Sequence, residues 1–314
     1  RRLAIYAVLN EVLKTLDILI HPFCPYTSEH LYQTVFEGKQ SILLDKWPQY
    51  EESLVNEKIE ESFDIMKDVV SISSAARMKG KLKRRWPLNE AQICVKKNQK
   101  IKLESLSDLL KSQLNVEKFN IVETEKESGL EQLLELKELG LPVKSTLELE
   151  RKKIGPKAKQ HMGKLVSTFS ETDPDKIILS IQKDGKYDFK IDDEIISLDK
   201  EDFIVDFDSK DNFAVAKREG FVVFISTSRN KEMMAKGLVK DIARRLQTLR
   251  KERGYNPTDV LEVASILELD EESLEMIKGR DEELAFLVRV KKVNFEESCK
   301  EYKDDDIDGQ KIKI

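Results

Sequence analysis

Six cationic side chains crowd nine consecutive residues: Arg77, Lys79, Lys81, Lys83, Arg84 and Arg85, with no acid among them. Charge this dense must face water or an anion. The chain holds 54 Lys and Arg against 59 Asp and Glu, a formal charge of −5, so the run is a local feature, and positive potential on an acidic protein points to a polyanionic partner. Trp86 and Pro87 close it. An indole beside cations offers an unpaired base a surface to stack on, while Pro87 stops the backbone from continuing as helix. The chemistry open to this set is phosphate neutralisation with base stacking. A plainer role competes: cations in a last helical turn meet the negative end of the dipole, and Gly80 fits a C-cap. Six cations exceed what a cap needs.

Other candidates are weaker. In KEMMAKGLVKDIARRLQTLRKERGYNPTD, Met234, Leu238, Ile242, Leu246 and Leu249 define a helical stripe, with Lys240, Arg244 and Lys251 banded on the opposite side. Arg245 falls on the apolar stripe itself and reads as structural, paired at an interface or snorkelling outward. Arg151, Lys152, Lys153, Lys157 and Lys159 surround Gly155-Pro156; one glycine before a proline lacks the repeated backbone donors of a phosphate loop, which leaves a secondary RNA contact or a solvated surface. Trp47 is a further stacking candidate, although tryptophan at a helix–loop corner is more often core. His21, His30 and His161 lack partners at ligand spacing, and Cys24, Cys94 and Cys299 form no C-x-x-C pair, which argues against a structural zinc site. Asp192, Asp193, Glu194, Asp199, Asp206 and Asp208 read as a solvated strand face, and Asp304, Asp305 and Asp306 lack the glycine and terminal glutamate of a calcium loop.

These side chains need elements to hold them. At 314 residues, 40% apolar and 36% charged, the chain can build two or three domains with long charged helices. No stretch approaches the ~20 apolar residues of a membrane span, and a soluble intracellular protein is expected. Leu9, Val12, Leu13, Leu16, Leu19 and Ile20 predict a helix over about Leu3 to Ile20 buried along one stripe. A second short helix follows Pro25, ends at Gly38 and turns Leu31, Tyr32 and Val35 inward; Ser41 to Tyr50 reads as extended. A long helix from about Leu54 delivers the basic run at its far end. Ala91 to Thr124 reads as a β-α-β unit, and Gly129 to Gly140 as a short helix or linker. Lys176 to Ser228 reads as strands, KIILSIQ among them, with turns that include Glu219-Gly220. The predicted fold class is α+β and multidomain: a helical bundle over 1–90, a small βαβ unit over 91–128, a β-rich domain over 129–230 and a C-terminal α/β segment over 231–314.

The stretches HPFCPYTSEHLYQ, LLDKWP and SAARMKGKLKRRWPL together resemble the anticodon-binding helical bundle of the class I aminoacyl-tRNA synthetases for isoleucine, valine and leucine. The arginine, spaced lysines and RRWPL are most similar to the isoleucine branch. AKGLVKDIARRLQTLRKERGYNPTD is similar to the terminal domain of that branch's archaeal and eukaryotic-like members.

The resemblance implies a C-terminal fragment of a cytoplasmic, monomeric enzyme that joins isoleucine to its tRNA using ATP with magnesium. The family's H-I-G-H and K-M-S-K-S motifs do not occur here, so these residues are expected to bind tRNA without catalysis and without a cofactor of their own. The expected partner is isoleucine tRNA, with no DNA and no membrane. Its candidate contacts are Arg77, Lys79, Lys81, Lys83, Arg84, Arg85, Trp86, Trp47, Lys240, Arg244 and Lys251. Two alternatives stay open: the corresponding region of a valine enzyme, which typically ends in a coiled-coil arm, and a non-enzymatic scaffold that docks an acidic protein.

Overall fold

The computed structural model describes residues 2–36, 40–192, 194–218, 220–295, 304–307 and 310–313. Gly38, Asp193, Glu219 and Cys299 lie outside it, as do the side chains of Lys159, Asp304, Asp305 and Asp306. The chain is mixed α and β with small sheets, and it forms two compact units, Arg1–Glu57 and Lys58–Ile314.

In the first unit, α1 (Arg2–Ile20) is followed by α2 (Pro25–Val35). Pro25 sits in the first turn of α2, where a missing N–H costs no hydrogen bond. Ile18, Tyr32 and Ile42 form a small core, closed by polar bonds. The Tyr32 hydroxyl donates to Asp45 (2.7 Å), and Lys14 Nζ lies 2.7 Å from the same carboxylate. The lysine first, then the hydroxyl, hold the Asp45 carboxyl far below the usual carboxylate range. Three expectations fail here, the first being that α2 turns Leu31 and Val35 inward with Tyr32: they are 44% and 53% exposed. Residues after Ser41 begin with a 3-10 turn, Ile42–Leu44, because the Ser41 hydroxyl accepts from the Leu43 amide. The α1 stripe is not buried: Leu9, Val12, Leu13, Leu16, Leu19 and Ile20 are 39–51% exposed, since the small core engages α1 chiefly through Ile18.

The second unit opens with α3 (Glu57–Lys79), which buries Met66, Val69, Ile72, Ser73 and Ala76 at helical spacing. Then come β1 (Leu88–Val95), α4 (Lys97–Glu104), α5 (Ser107–Leu114) and β2 (Val116–Glu123). β1 and β2 are parallel, with Leu88 opposite Val116, the β-α-β pattern read from the sequence. The middle of the chain is more helical than expected: α6 (Gly129–Glu138), β3 (Val143–Leu149), α7 (Arg151–Ala158), α8 (Met162–Glu171) and α9 (Pro174–Asp184). KIILSIQ is therefore helix, not strand. Asp173 caps it by accepting from the Asp175 amide, and Ile177, Ile178 and Ile181 are buried on one face, so tertiary burial and a start signal override β propensity.

β4 (Lys186–Ile191) pairs with β5 (Glu194–Asp199), and β3 with β6 (Phe203–Ser209). β7 (Phe213–Arg218) and β8 (Phe221–Ser226) return to the first sheet, which is ordered β2-β1-β8-β7, with Ala91 opposite Ile225. That sheet joins residues expected in separate domains, and α3, expected within 1–90, begins the second unit. The chain continues as α10 (Lys231–Glu252), β9 (Leu261–Ser265), α11 (Glu271–Ile277), α12 (Asp281–Val288), β10 (Val290–Asn294), β11 (Asp304–Ile307) and β12 (Gln310–Lys313).

The order α3-β1-α4-α5-β2 recurs as α10-β9-α11-α12-β10, and the recurrence extends to single bonds. β9 and β10 are parallel with Leu261 opposite Val290, as Leu88 is opposite Val116. The Leu88 amide donates to Asn115 O at 3.1 Å, and the Leu261 amide to Arg289 O at 3.1 Å. Asn115 and Arg289 are both left-handed C-caps, with φ of 51° and 58°. Lys81 and Gly254 are the left-handed residues just past α3 and α10. Lys67-Asp68-Val69 and Lys240-Asp241-Ile242 precede the matching arginines, Arg77 and Arg250.

Candidate nucleic-acid interface

Arg77 lies in the last turn of α3 and is 3% exposed. Its guanidinium donates to four backbone carbonyls: Lys83 O (3.1 Å), Trp86 O (3.0 Å), Leu114 O (2.7 Å) and Asn115 O (3.1 Å). An arginine fork can pin two chain segments in this way, whereas a lysine cannot. Burial, with Arg84 and Arg229 nearby, lowers its pKa to about 10, so the side chain stays charged at neutral pH. Arg77 is thus a fastener for the basic loop and not a phosphate contact, which corrects its place in the candidate set.

Trp86 is corrected in the same way. Its ring is buried against α10, so close that a Cβ at Gly237 would fall 2.4 Å from it, and it has no face to give a base. The indole N–H donates to Asp241 (2.8 Å), a carboxylate only 5% exposed. The same carboxylate accepts from Lys83 (3.0 Å) and Arg85 (3.2 Å). A buried charge must be paired, and here three donors from the loop meet one acid from a helix some 155 residues later. Arg229 adds a cation 4.8 Å from the Trp86 ring centre.

Around Asp241 the loop and α10 enclose a cavity of about 310 Å³ lined by Lys83, Arg84, Arg85, Asp241, Arg244 and Arg245. Five cations and one carboxylate line it. The Lys83 and Arg85 side chains, though paired, remain roughly half exposed, and Arg84, Arg244 and Arg245 are exposed. Such a cavity can bind an anion the size of a phosphate through charge-assisted hydrogen bonds.

The structure therefore brings Lys83, Arg84, Arg85 and Arg244 together and leaves other candidates elsewhere. Lys79 and Lys81 are exposed on the approach to the loop, and Lys240 is half-buried. Lys251 is exposed at the far end of α10, and Trp47 is exposed in the first unit. Asp241, Arg229 and Arg245 were missed as parts of the site. Arg245 is exposed because the buried face of α10 extends over Ala235, Val239 and Ala243, which leaves it at the margin. In the other cationic cluster, Lys153 pairs with Glu201 (3.0 Å) and Lys157 with Asp199 (3.0 Å) and Asp202, which reduces its value as an anion site. Among the described residues, no group of three or more His, Cys, Asp or Glu side chains could hold a metal ion.

Residues 1–93, which include the basic loop, match the family described as the anticodon-binding domain of tRNA ligase. The chain is 28% identical over 301 residues to the isoleucine–tRNA ligase of Pyrococcus furiosus, covering 95% of this chain and 26% of that protein. Over most of its length this chain is similar to isoleucine–tRNA ligases. The ligase of Methanocella arvoryzae is 28% identical, over 92% of this chain and 26% of its own length. That of Sulfolobus acidocaldarius is 26% identical, over 93% and 27%. The chain spans about a quarter of the length of the curated ligases it matches. Arg244 and Lys251 lie beyond the family match but within the span shared with these ligases.

Proposed function

We propose that this chain is the tRNA-binding, anticodon-recognising C-terminal region of an isoleucine–tRNA ligase, and that the Asp241 cavity grips phosphates of the tRNA. The parent enzyme attaches isoleucine to tRNA using ATP; these 314 residues select and position the nucleic acid. The observation that carries the reading is the meeting of five cations from two distant stretches around one buried acid in a chain of net charge −5. A surface coincidence would not need an acid buried beneath it to hold the cations in register.

Lys79, Lys81, Arg84 and Arg244 supply phosphate contacts, Lys83 and Arg85 complete the cavity, and Arg77, Trp86 and Asp241 build it. The anticodon contacts lie within the residues of the family match. The relatives bear the isoleucine name, which favours this reading over a valine enzyme or a protein scaffold. We place the ligase in the cytoplasm as a monomer; no described helix is long and apolar enough to cross a membrane. Binding of the chain to isoleucine and valine tRNA transcripts, each with anticodon variants, tests the proposal. Preference for the isoleucine anticodon is expected, and equal affinity for all would contradict it.

A further inference from the structure

The second copy of the repeat holds a cavity between its loop and its corner, where the first copy is closed. Arg250, in the last turn of α10, repeats the Arg77 fastener: its guanidinium donates to Asn256 O (3.3 Å), Asp259 O (2.7 Å), Arg289 O (2.9 Å) and Val288 O. The acceptors lie 6, 9, 38 and 39 residues after Arg250, against 6, 9, 37 and 38 after Arg77. In the first copy, the Asn115 amide closes the gap between corner and loop by donating to Arg84 O (3.3 Å) and Arg85 O (2.9 Å). Its counterpart Arg289 has a guanidinium, which is exposed.

Between the second loop and its corner lies a cavity of about 590 Å³, lined by Tyr255, Asn256, Pro257, Lys251 and Arg289 among others, with Arg250 beneath. Its volume falls in the ~300–1,000 Å³ range of small-molecule sites. Arg250 fixes the backbone of Asn256 and Arg289 on opposite sides, so the site is organised before any ligand arrives.

We infer that this second cavity takes one unpaired nucleobase of a bound RNA strand. Tyr255, 43% exposed, offers the face on which a base stacks, and Pro257 gives an apolar wall. The Asn256 side chain can both donate to and accept from a base edge. Lys251 and Arg289, both exposed, supply cations for the flanking phosphates. Lys251 follows Arg244 by two turns on the same side of α10, about 10 Å along the axis at 1.5 Å per residue. A single strand can therefore run from the Asp241 cavity to the Tyr255 cavity along one helix face. The inference rests on the RNA-binding function proposed above and adds a base-sized subsite to it.

The test compares the full chain with its Tyr255→Ala, Tyr255→Phe and Arg84→Glu variants. Fluorescence anisotropy reads binding to a labelled unstructured 12-nucleotide RNA, a 12-base-pair RNA duplex and an isoleucine tRNA transcript, and thermal melts verify folding. Tyr255→Ala is expected to weaken single-strand binding on the order of tenfold, with Tyr255→Phe near wild type and duplex binding unchanged. If Tyr255→Ala binds the single strand like wild type while Arg84→Glu weakens it, the base site is overturned and the phosphate cavity stands. Equal loss on the duplex shows a general effect and also overturns the base site. If the wild-type chain binds none of the three RNAs, the functional reading falls and takes the base site with it.

Discussion

The loops pinned by Arg77 and Arg250 share a backbone and differ in what fills them. The first carries Lys81, Lys83, Arg84, Arg85 and Trp86, and Trp86 plugs its crook against α10. The second has Gly254, Asn256, Pro257, Thr258 and Asp259 at those positions, with Tyr255 in place of Leu82, and keeps an open cavity. Asp68 and Asp241 occupy the same place in the two helices. Asp68 is half-exposed, with Arg218 at 3.5 Å, whereas Asp241 is buried and gathers three donors. Features common to both copies, the buried arginine above all, belong to the scaffold, and features confined to one copy are where a ligand can be recognised. A basic run read by charge alone mixes the two kinds.

The largest effect is expected from breaking what the copies share. Arg77→Ala or Arg250→Ala removes four buried or partly buried hydrogen bonds each, and either is expected to cost about 3 kcal/mol or more; lysine at either place restores little, because one ammonium cannot span two segments. Urea denaturation checks this. Wild-type stability in both variants would show that the arginines are not fasteners.

Substitutions at Gly237 sharpen the difference between the copies. Gly237→Ala puts a methyl into the Trp86 ring and is expected to cost about 1–3 kcal/mol by overpacking, and the pair Gly237→Ala with Trp86→Leu should lose less than the two separate effects combined. The counterpart of Gly237 in α3 is Asp64, which is exposed, and Asp64→Ala is expected to be nearly neutral.

How much of this was legible follows from the range of the contacts. The helices α1, α2, α3 and α10 and the β-α-β unit declare themselves through local periodicity and proline signals. α9 does not, because its Ile-Ile run mimics a strand until Asp173 and Pro174 are given weight. The repeat was invisible because little beyond Lys-Asp, one arginine and a leucine survives at matching positions, with one residue more in the second copy's return to its corner. The site was half legible. The cations were plain, but their partner Asp241 is remote in sequence, and no spacing rule connects it to Trp86.

The smallest effect lies in the first unit. Because the Asp45 carboxyl is depressed by Lys14 and Tyr32, its contribution is fully present above about pH 4, the unfolded value, and is lost as pH falls below that. Thermal melts between pH 6 and 3 are expected to show a steeper acid loss in wild type than in Asp45→Asn. Identical profiles would remove this ion pair from the account.

The central claim is that Arg84 and Arg244 meet in one cavity to hold tRNA phosphates, and the salt dependence of isoleucine tRNA binding tests it most directly. If the cavity and its approach neutralise roughly three phosphates, the log–log slope of affinity against salt is on the order of −3, and Arg84→Glu with Arg244→Glu reduces its magnitude by about 2 without lowering the melting temperature. An unchanged slope in that double variant would contradict the account.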